Sequence, residues 1–418
     1  MSKINRRQRN IIFAVVMLLL FLSAPLTMDY LPASRRLGIY FLETDGVRGP
    51  FLWLLAWLHR AGFDIEDCCR IYILLANLGA IAVSCYCFSK ITDNAYAGIA
   101  GSFCYSFSIY SVNIRYTDGS LGGITAFVFL PLVLYGMWSL YGEEPEKKSC
   151  IKAALFLSLG LFGVFISHMP TAMITMGFLV IAAAMFWKRT FRKRTLAALC
   201  LALSAALAAS AFCWVPYGRA ILAGAAYANQ AAGTSFALRG LSLAKLLLPF
   251  IGRSQNLEVP LTPQEYCGLG LPFLCVAVFW MVWVLLWRNK DEKKIKQEMG
   301  FCIGLSAIAV FFATELMPWE RAAGIHRIVR ALFEHVGYPY RFTVIAVLLL
   351  SAAVSLLGKA VWERGRKAMA VFLLIVTVTN VLSGVYLMNA RIYTSERDDS
   401  FDAEEGYQNA EYLFYLGE

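Results

Sequence analysis

Long apolar runs recur along the whole chain and limit the folds available to it. A transmembrane helix needs about 20 consecutive, mostly apolar residues, and such runs begin at Ile11, Cys69, Leu121 and Phe342, among other places. The composition agrees, because 59% of the 418 residues are hydrophobic and 16% are charged, whereas roughly a quarter of a soluble protein is charged. The sequence therefore predicts an all-α, polytopic integral membrane protein.

The apolar runs predict about eleven transmembrane helices. The first, Ile11–Met28, is interpreted as a retained helix and not as a cleaved signal peptide. Gly49–Gly62 is too short and too polar at its end to span, so it is predicted to be an interfacial helix. The later predicted spans are Cys69–Ser89, Tyr96–Asn113, Leu121–Tyr141, Ile151–Ser167, Thr171–Trp187, Leu196–Tyr217, Gly268–Trp287, Gly300–Ala313, Phe342–Leu357 and Met369–Met388.

The distribution of basic residues predicts the orientation. Lys and Arg are enriched in cytoplasmic loops, and the two densest basic runs, KRTFRKR at 188–194 and RNKDEKKIK at 288–296, fall on the same side as the basic N-terminus. We therefore expect the N-terminus inside, the C-terminus outside, a transmembrane domain over 1–388 and an extracytoplasmic tail over 389–418. The net charge of +10 then reflects topology and contact with anionic membrane lipids, so no nucleic-acid partner is expected.

Several common kinds of site are missing from the sequence. It contains neither a G-x-x-x-x-G-K-[ST] loop nor a G-x-G-x-x-G motif, so no nucleotide cofactor is expected. The eleven cysteines mostly fall in apolar runs, without a C-x-x-C pair, and are interpreted as small buried apolar side chains. No metal-ligating residues are predicted, although a divalent metal that bridges an acid and a phosphate stays open.

The most distinctive polar stretch is Thr314–Phe342, which lies between two apolar runs. Pro and aromatic residues bracket it, as Met-Pro-Trp at 317–319 and Tyr-Pro-Tyr at 338–340. Between these brackets, Arg327 and Arg330 are one helical turn apart, so both can point the same way. A surface helix that carries cations and is fixed by aromatic residues is suited to binding an anionic head group.

Other segments predicted to lie outside carry further candidates. Asp29 and Asp45, in the first outer loop, can serve as a general base for an acceptor hydroxyl, or can be ordinary solvated loop residues. Arg115 can hold a phosphate through two parallel hydrogen bonds, anchor the helix at the interface, or pair with Asp118. His168, between two spans, can act as a hydrogen-bonding or proton-transfer group, or cap a helix.

Four stretches of the chain resemble a known group of membrane proteins, in the same order and with similar spacing. The group comprises the bacterial YfhO-type proteins and the related "6-pyruvoyl-tetrahydropterin synthase-related" membrane proteins, which look like distant members of the GT-C glycosyltransferase superfamily. The four stretches are NIRYTDGSLGGITAFVFLPLVLYG at Asn113–Gly136, LGLFGVFISHMPTAM at Leu159–Met173, AFCWVPY at Ala211–Tyr217, and FFATELMPWE with VGYPYRF within Phe311–Phe342.

This resemblance implies a GT-C-like helical bundle in the bacterial plasma membrane. Its members would use a polyprenyl-phosphate-linked sugar on the outer face, and the YfhO-type proteins would decorate a cell-envelope polymer such as lipoteichoic acid. The chain departs from the family pattern where Gly122 and Gly123 replace a frequent acidic residue, and where Asp29 has no His near it until His59. It also ends at NAEYLFYLGE, where such proteins usually continue into an outer domain and a last helix, which indicates a shortened member.

The residues and the resemblance together predict a membrane glycosyltransferase with a cell-envelope glycan as acceptor. The predicted phosphate-binding residues are Arg115, Arg327, Arg330 and Arg341; the predicted catalytic residues are Asp29 or Asp45 as base, and His168 beside the phosphate. The alternatives are a lipid or polysaccharide transporter or flippase, and a catalytically inactive envelope-assembly protein. A transporter needs polar groups along a path through the membrane, and the predicted spans contain few.

Overall fold

The computed structural model describes residues 51–116, 120–142, 147–222, 240–243, 268–286, 293–326 and 335–395, together with residues 246, 330 and 333. Several predictions fall outside these residues. They are the first span, the general bases Asp29 and Asp45, the cation Arg327, and residues 396–418 of the predicted outer tail.

The described residues fold almost entirely into α-helices, joined at one point by an isolated bridge between Leu241 and Thr314. A 3-10 turn over Pro339–Phe342 precedes the penultimate helix. In chain order the helices are α1 Leu52–Arg60, α2 Ile65–Thr92, α3 Ala95–Ser106, α4 Ile109–Tyr116, α5 Leu121–Leu140, α6 Lys147–Ser167, α7 Met169–Met185, α8 Trp187–Thr190, α9 Lys193–Ala209, α10 Ala211–Leu222, α11 Leu271–Leu286, α12 Lys293–Ala313, α13 Trp319–Ile325, α14 Thr343–Glu363 and α15 Arg366–Ser395.

Six of the helices in the described part of the chain, α2, α5, α6, α12, α14 and α15, are long and apolar enough to cross a membrane. The bent pair α9 and α10 raises this number to seven if it forms one span, and α7 and α11 are shorter apolar helices. The protein is therefore a multi-pass α-helical membrane protein, as its hydropathy predicts. The count of eleven spans and the orientation stay predictions.

The predicted interfacial helix at Gly49–Gly62 corresponds to α1. This helix exposes Trp53 and Trp57, and Trp is enriched where a membrane meets water. The helix continues into a turn at Gly62, whose φ of +96° lies in the left-handed region that glycine tolerates.

The predicted span Tyr96–Asn113 differs from the structure, which divides it into α3 and α4. The break leaves the carbonyl of Ser106 without a place in a continuous helix. Arg115 donates from Nη1 to this carbonyl oxygen at 2.7 Å, and the Ser111 hydroxyl donates to it at 3.0 Å. A backbone carbonyl without a partner costs several kcal/mol in hydrocarbon, so these two donors make the break tolerable.

The predicted span Leu196–Tyr217 is also interrupted. Its two halves, α9 and α10, meet at an angle of 74°. Ser210 occupies the joint, is fully buried, and donates its hydroxyl to the Ala206 carbonyl oxygen at 2.7 Å. Bonds of this kind from Ser to the preceding turn often accompany a bend.

Polar side chains connect several helices inside the bundle. Ser84 on α2 bonds Ser102 on α3 at 2.7 Å, and Tyr72 on α2 bonds Thr125 on α5. The Asn380 amide on α15 donates to the Cys104 sulfur on α3 at 3.3 Å. Such bonds contribute to helix association in a membrane because the surrounding lipid offers no competing partner. They hold α2, α3, α5 and α15 in register.

The pair α5 and α6 packs closely because glycines on each helix face the backbone of the other. A Cβ atom added at Gly136 would lie 2.7 Å from the Leu157 backbone nitrogen, and one added at Gly160 would lie 2.7 Å from that of Val133. Small residues allow two helix backbones to approach in a membrane, where dispersion contacts replace the hydrophobic effect. This contact fixes the second half of α5 against the middle of α6.

We predict that Gly160→Ala destabilises the protein by about 1–3 kcal/mol, because the added methyl group overpacks the α5–α6 contact. Gly177→Ala is the matched control, since nothing lies within 4 Å of a Cβ atom there, and the better helix propensity of Ala should stabilise it by up to about 1 kcal/mol. Thermal unfolding of both variants in detergent tests this. Equal melting temperatures for the two variants would contradict it.

Candidate functional site

Five aromatic rings form a cluster at the end of the bundle where α7 and α14 begin. This aromatic cluster consists of Phe178, Phe312, Trp319, Phe333 and Phe342. Phe342 stacks on Phe312 at 5.4 Å between ring centroids and lies 5.7 Å from Trp319, which is 1% exposed. Trp319 and Phe342 come from opposite ends of the Thr314–Phe342 stretch. The two ends of the stretch therefore pack together in one cluster.

The aromatic cluster anchors the 3-10 turn that carries Arg341. Gly337 precedes this turn with a φ of +78°, and an added Cβ atom there would lie 3.2 Å from Arg341 Nη1. The same Nη1 donates to the Val336 carbonyl oxygen at 2.7 Å, and the guanidinium lies 5.4 Å from the centroid of the Tyr338 ring. Hydrogen bond, cation–π contact and turn thus orient the Arg341 head group.

His168 lies at the junction of α6 and α7. Helix α7 begins at Met169, and Pro170 occupies its first turn, a position that suits proline. The imidazole Nδ1 and the Thr171 hydroxyl form a hydrogen bond of 2.7 Å. The start of α5 packs against this junction, since a Cβ atom added at Gly122 would lie 2.5 Å from the Ser167 carbonyl oxygen and 3.5 Å from His168 Cδ2.

His168 and Arg341 interact electrostatically although they are 173 residues apart in the sequence. Burial, and to a smaller extent the positive charge of Arg341, together lower the pKa of His168 from 6.5 to about 3. His168 is therefore a neutral imidazole near pH 7. A neutral imidazole beside a guanidinium can hydrogen-bond an anion without adding a second positive charge.

Three of the four stretches that carry the family resemblance meet at this pair. The start of α5 contacts His168 on the second stretch, and His168 senses Arg341 on the fourth. Tyr217, in AFCWVPY, makes an edge-to-face ring contact of 5.7 Å with His335, the residue just before VGYPYRF. Side chains far apart in sequence are thus assembled at one end of the bundle.

The other predicted site residues have different positions. Arg115 is 2% exposed, and its guanidinium lies inside the fold at the Ser106 carbonyl. Arg330 is exposed, and its backbone N–H donates to the His326 carbonyl oxygen at 3.1 Å. Asp29, Asp45 and Arg327 lie outside the described residues. Within the described part of the chain, no group of three His, Cys, Asp or Glu side chains is arranged to hold a metal ion.

Sequence reasoning missed several groups that support the pair. Thr171 lies three residues after His168, and this spacing on a helix start is a signal that could have been used. The Val336 carbonyl and the ring of Tyr338 contact Arg341 only because Gly337 reverses the chain. The packing of Gly122 against Ser167 depends on tertiary structure and has no signal in the sequence.

Comparison of this α-helical membrane protein with known proteins finds a weak structural similarity. No protein-family model matches the chain, and no curated protein matches it significantly. One solved structure that resembles it is that of ArnT from Cupriavidus metallidurans bound to undecaprenyl phosphate. The alignment covers 97% of this chain and 76% of ArnT, with 12% sequence identity and a TM-score of 0.43.

We predict that His168 makes the protein less stable as the pH falls below about 6.5. Between pH 6.5 and about 3 the unfolded chain binds a proton at this residue and the folded chain does not, so stability falls on acidification by at most about 1.4 kcal/mol per pH unit. His168→Gln removes the titrating group. It should therefore lose less thermal stability than the wild type between pH 7 and pH 5.

Thermal unfolding in detergent at both pH values provides the measurement. His326→Gln, at an exposed position, is the matched control and should behave as the wild type does. An equal loss of melting temperature in the wild type and His168→Gln would show that His168 is not buried in its neutral form.

Proposed function

We propose that the protein is a GT-C-type membrane glycosyltransferase. It transfers a sugar from a polyprenyl-phosphate donor to a cell-envelope polymer, such as lipoteichoic acid, at the outer face of a bacterial plasma membrane. The observation that carries this proposal is that three of the resembling stretches, which contain the start of α5, His168 and Arg341, come together. Stretches that resemble one family and also share a site are what a common active site would produce.

Arg341 is the proposed contact for the phosphate of the lipid-linked donor. A guanidinium has five N–H donors in a planar fork that suits phosphate oxygens. The bond to Val336 and the ring of Tyr338 fix its orientation before the donor arrives. As the sugar leaves, negative charge grows on the phosphate, and a preoriented cation stabilises that charge more than it stabilises the ground state.

His168 is the proposed hydrogen-bond partner of the same phosphate. Its pKa of about 3 means that the imidazole does not carry a proton that it could release near pH 7. Its role is therefore to orient the phosphate and not to act as a general acid. The bond between Nδ1 and Thr171 would fix the ring for this purpose.

The remaining residues complete the proposed mechanism. Asp29 or Asp45 would remove the proton from the acceptor hydroxyl, and Arg327 and Arg330 would attract the anionic donor to the membrane surface. Arg115 stabilises the α3–α4 break through the Ser106 carbonyl, and we propose a contact with the donor phosphate as its second role.

We predict that Arg341→Ala lowers sugar transfer by about 10- to 100-fold. Hydrogen bonds to charged groups are worth about 1.5–3 kcal/mol, which corresponds to this range of rates. Cells that lack the protein are complemented with each variant, and sugar on the envelope polymer is quantified. Arg321→Ala is the matched control, because Arg321 is an exposed cation on α13 in the same polar stretch, and it should restore the wild-type level.

Arg341→Lys separates charge from geometry. Lysine keeps the positive charge but loses the planar fork, so transfer should lie between the levels of Arg341→Ala and the wild type. If Arg341→Ala is present in the membrane and transfers sugar at the wild-type level, Arg341 does not bind the phosphate.

The glycan profile of cells without the protein distinguishes the alternative functions. Loss of one sugar substituent from an otherwise intact polymer supports the glycosyltransferase. Loss of the whole polymer from the surface would instead indicate a transporter or flippase, and an unchanged set of linkages would indicate an inactive assembly protein.

A further inference from the structure

A large cavity opens at the end of the bundle opposite His168 and Arg341. Its volume is about 770 Å³, within the range of about 300–1,000 Å³ that is usual for small-molecule sites. The residues at its mouth come from the end of α2, the region of α8, the start of α12 and the end of α14. We call this the basic end of the bundle, because Lys90, Arg189, Lys294 and Lys359 line the mouth.

The interior of the cavity is apolar. Its wall is built by side chains of α5, α7, α12 and α14, which include Leu134, Leu179, Leu305, Ile345, Leu348 and Leu349. Ile345 and Lys359 are 14 residues apart on α14, so the wall extends for about 21 Å along the helix at about 1.5 Å per residue. This length exceeds the roughly 15 Å that one leaflet contributes to the hydrocarbon core of a bilayer.

The mouth of the cavity carries a net positive charge among its described residues. Four cations line it, and the acidic residues beside them are Asp93 and Glu298. Arg189 is fixed across the mouth, since its Nη1 donates to the Tyr141 carbonyl oxygen at 2.7 Å. Lys90 and Lys359 extend from two other helices toward the same opening.

We propose that this cavity binds one anionic phospholipid, with an acyl chain between α5, α7, α12 and α14 and its phosphate at Lys90 and Lys359. The apolar wall matches a hydrocarbon chain in length, and the cationic mouth matches a phosphate in charge. The proposed head-group site is distinct from the proposed glycosyl-transfer site because the mouth lies at the other end of α7 and α14, while the apolar interior reaches as far as Phe178 of the aromatic cluster. It would hold these helices in register from the side that the basic runs predict to be cytoplasmic.

The head-group half of the proposal is tested with two pairs of lysines. Purified protein is incubated in detergent with phosphatidylglycerol or with phosphatidylcholine of the same acyl chains, and bound lipid is counted by native mass spectrometry. The double variant Lys90→Gln and Lys359→Gln should bind phosphatidylglycerol more weakly, by about 5-fold for each lysine. Lys188→Gln with Lys367→Gln is the control, because both lysines are exposed at the basic end without lining the cavity.

The acyl-chain half is tested by filling the cavity. Ala182 on α7 lines it, whereas Ala184 on the same helix is exposed and does not. Ala182→Trp should lower retention of phosphatidylglycerol at least about 10-fold, and Ala184→Trp should leave it unchanged, if the chain occupies this volume. A similar effect of both substitutions would show that the retained lipid lies on the outer surface of the bundle.

Three further results would overturn the proposal. Equal retention of phosphatidylglycerol and phosphatidylcholine would mean that the phosphate charge is not recognised. Equal retention by the two lysine double variants would mean that Lys90 and Lys359 do not hold the head group. Displacement of phosphatidylglycerol by an equal concentration of undecaprenyl phosphate would mean that the cavity is built for a polyprenyl chain and not for a phospholipid.

Discussion

Hydrocarbon offers no hydrogen-bond partners to a polypeptide, and this constraint explains most of the structure. A continuous helix satisfies its own backbone, so the chain is helical wherever it is apolar. Where a helix breaks, a buried side chain satisfies the exposed carbonyl, as Arg115 and Ser111 do for Ser106. Arg115 is therefore both a candidate ligand for phosphate and a structural group that makes the α3–α4 break possible.

The two ends of the helical bundle differ in chemistry, and each end suits a different kind of ligand. At the end near α13, the aromatic cluster holds a short turn rigid and presents one cation, Arg341, to a neutral His168. At the basic end, several lysines and one arginine surround the mouth of an apolar cavity. The first arrangement suits a reaction that needs precise geometry, whereas the second suits an amphiphile that needs only length and charge.

The close contact of α5 with α6 links the fold to the candidate site. Gly136 and Gly160 allow the two backbones to touch, and the same pair of helices continues to the contact between Gly122 and Ser167. Gly122 and Gly123 occupy the region where the resemblance leads us to expect an acidic residue. A side chain at Gly122 would meet the Ser167 carbonyl at 2.5 Å, so an acid there would require α5 and α6 to separate. The glycine therefore accompanies a closer packing of this junction.

The sequence by itself determined that the chain is a multi-pass helical membrane protein, because hydropathy over about 20 residues reports directly on the cost of burial in lipid. It also marked His168 and Arg341 as candidates. It could not reveal the helix breaks at Ser106 and Ser210, because apolar composition continues through both. Each break is stabilised by a side-chain hydrogen bond that only the structure shows. Nor could it bring together groups as distant as His168 and Arg341, or leave a cavity between α5, α7, α12 and α14. Those features depend on how helices pack, and only the tertiary structure decided them.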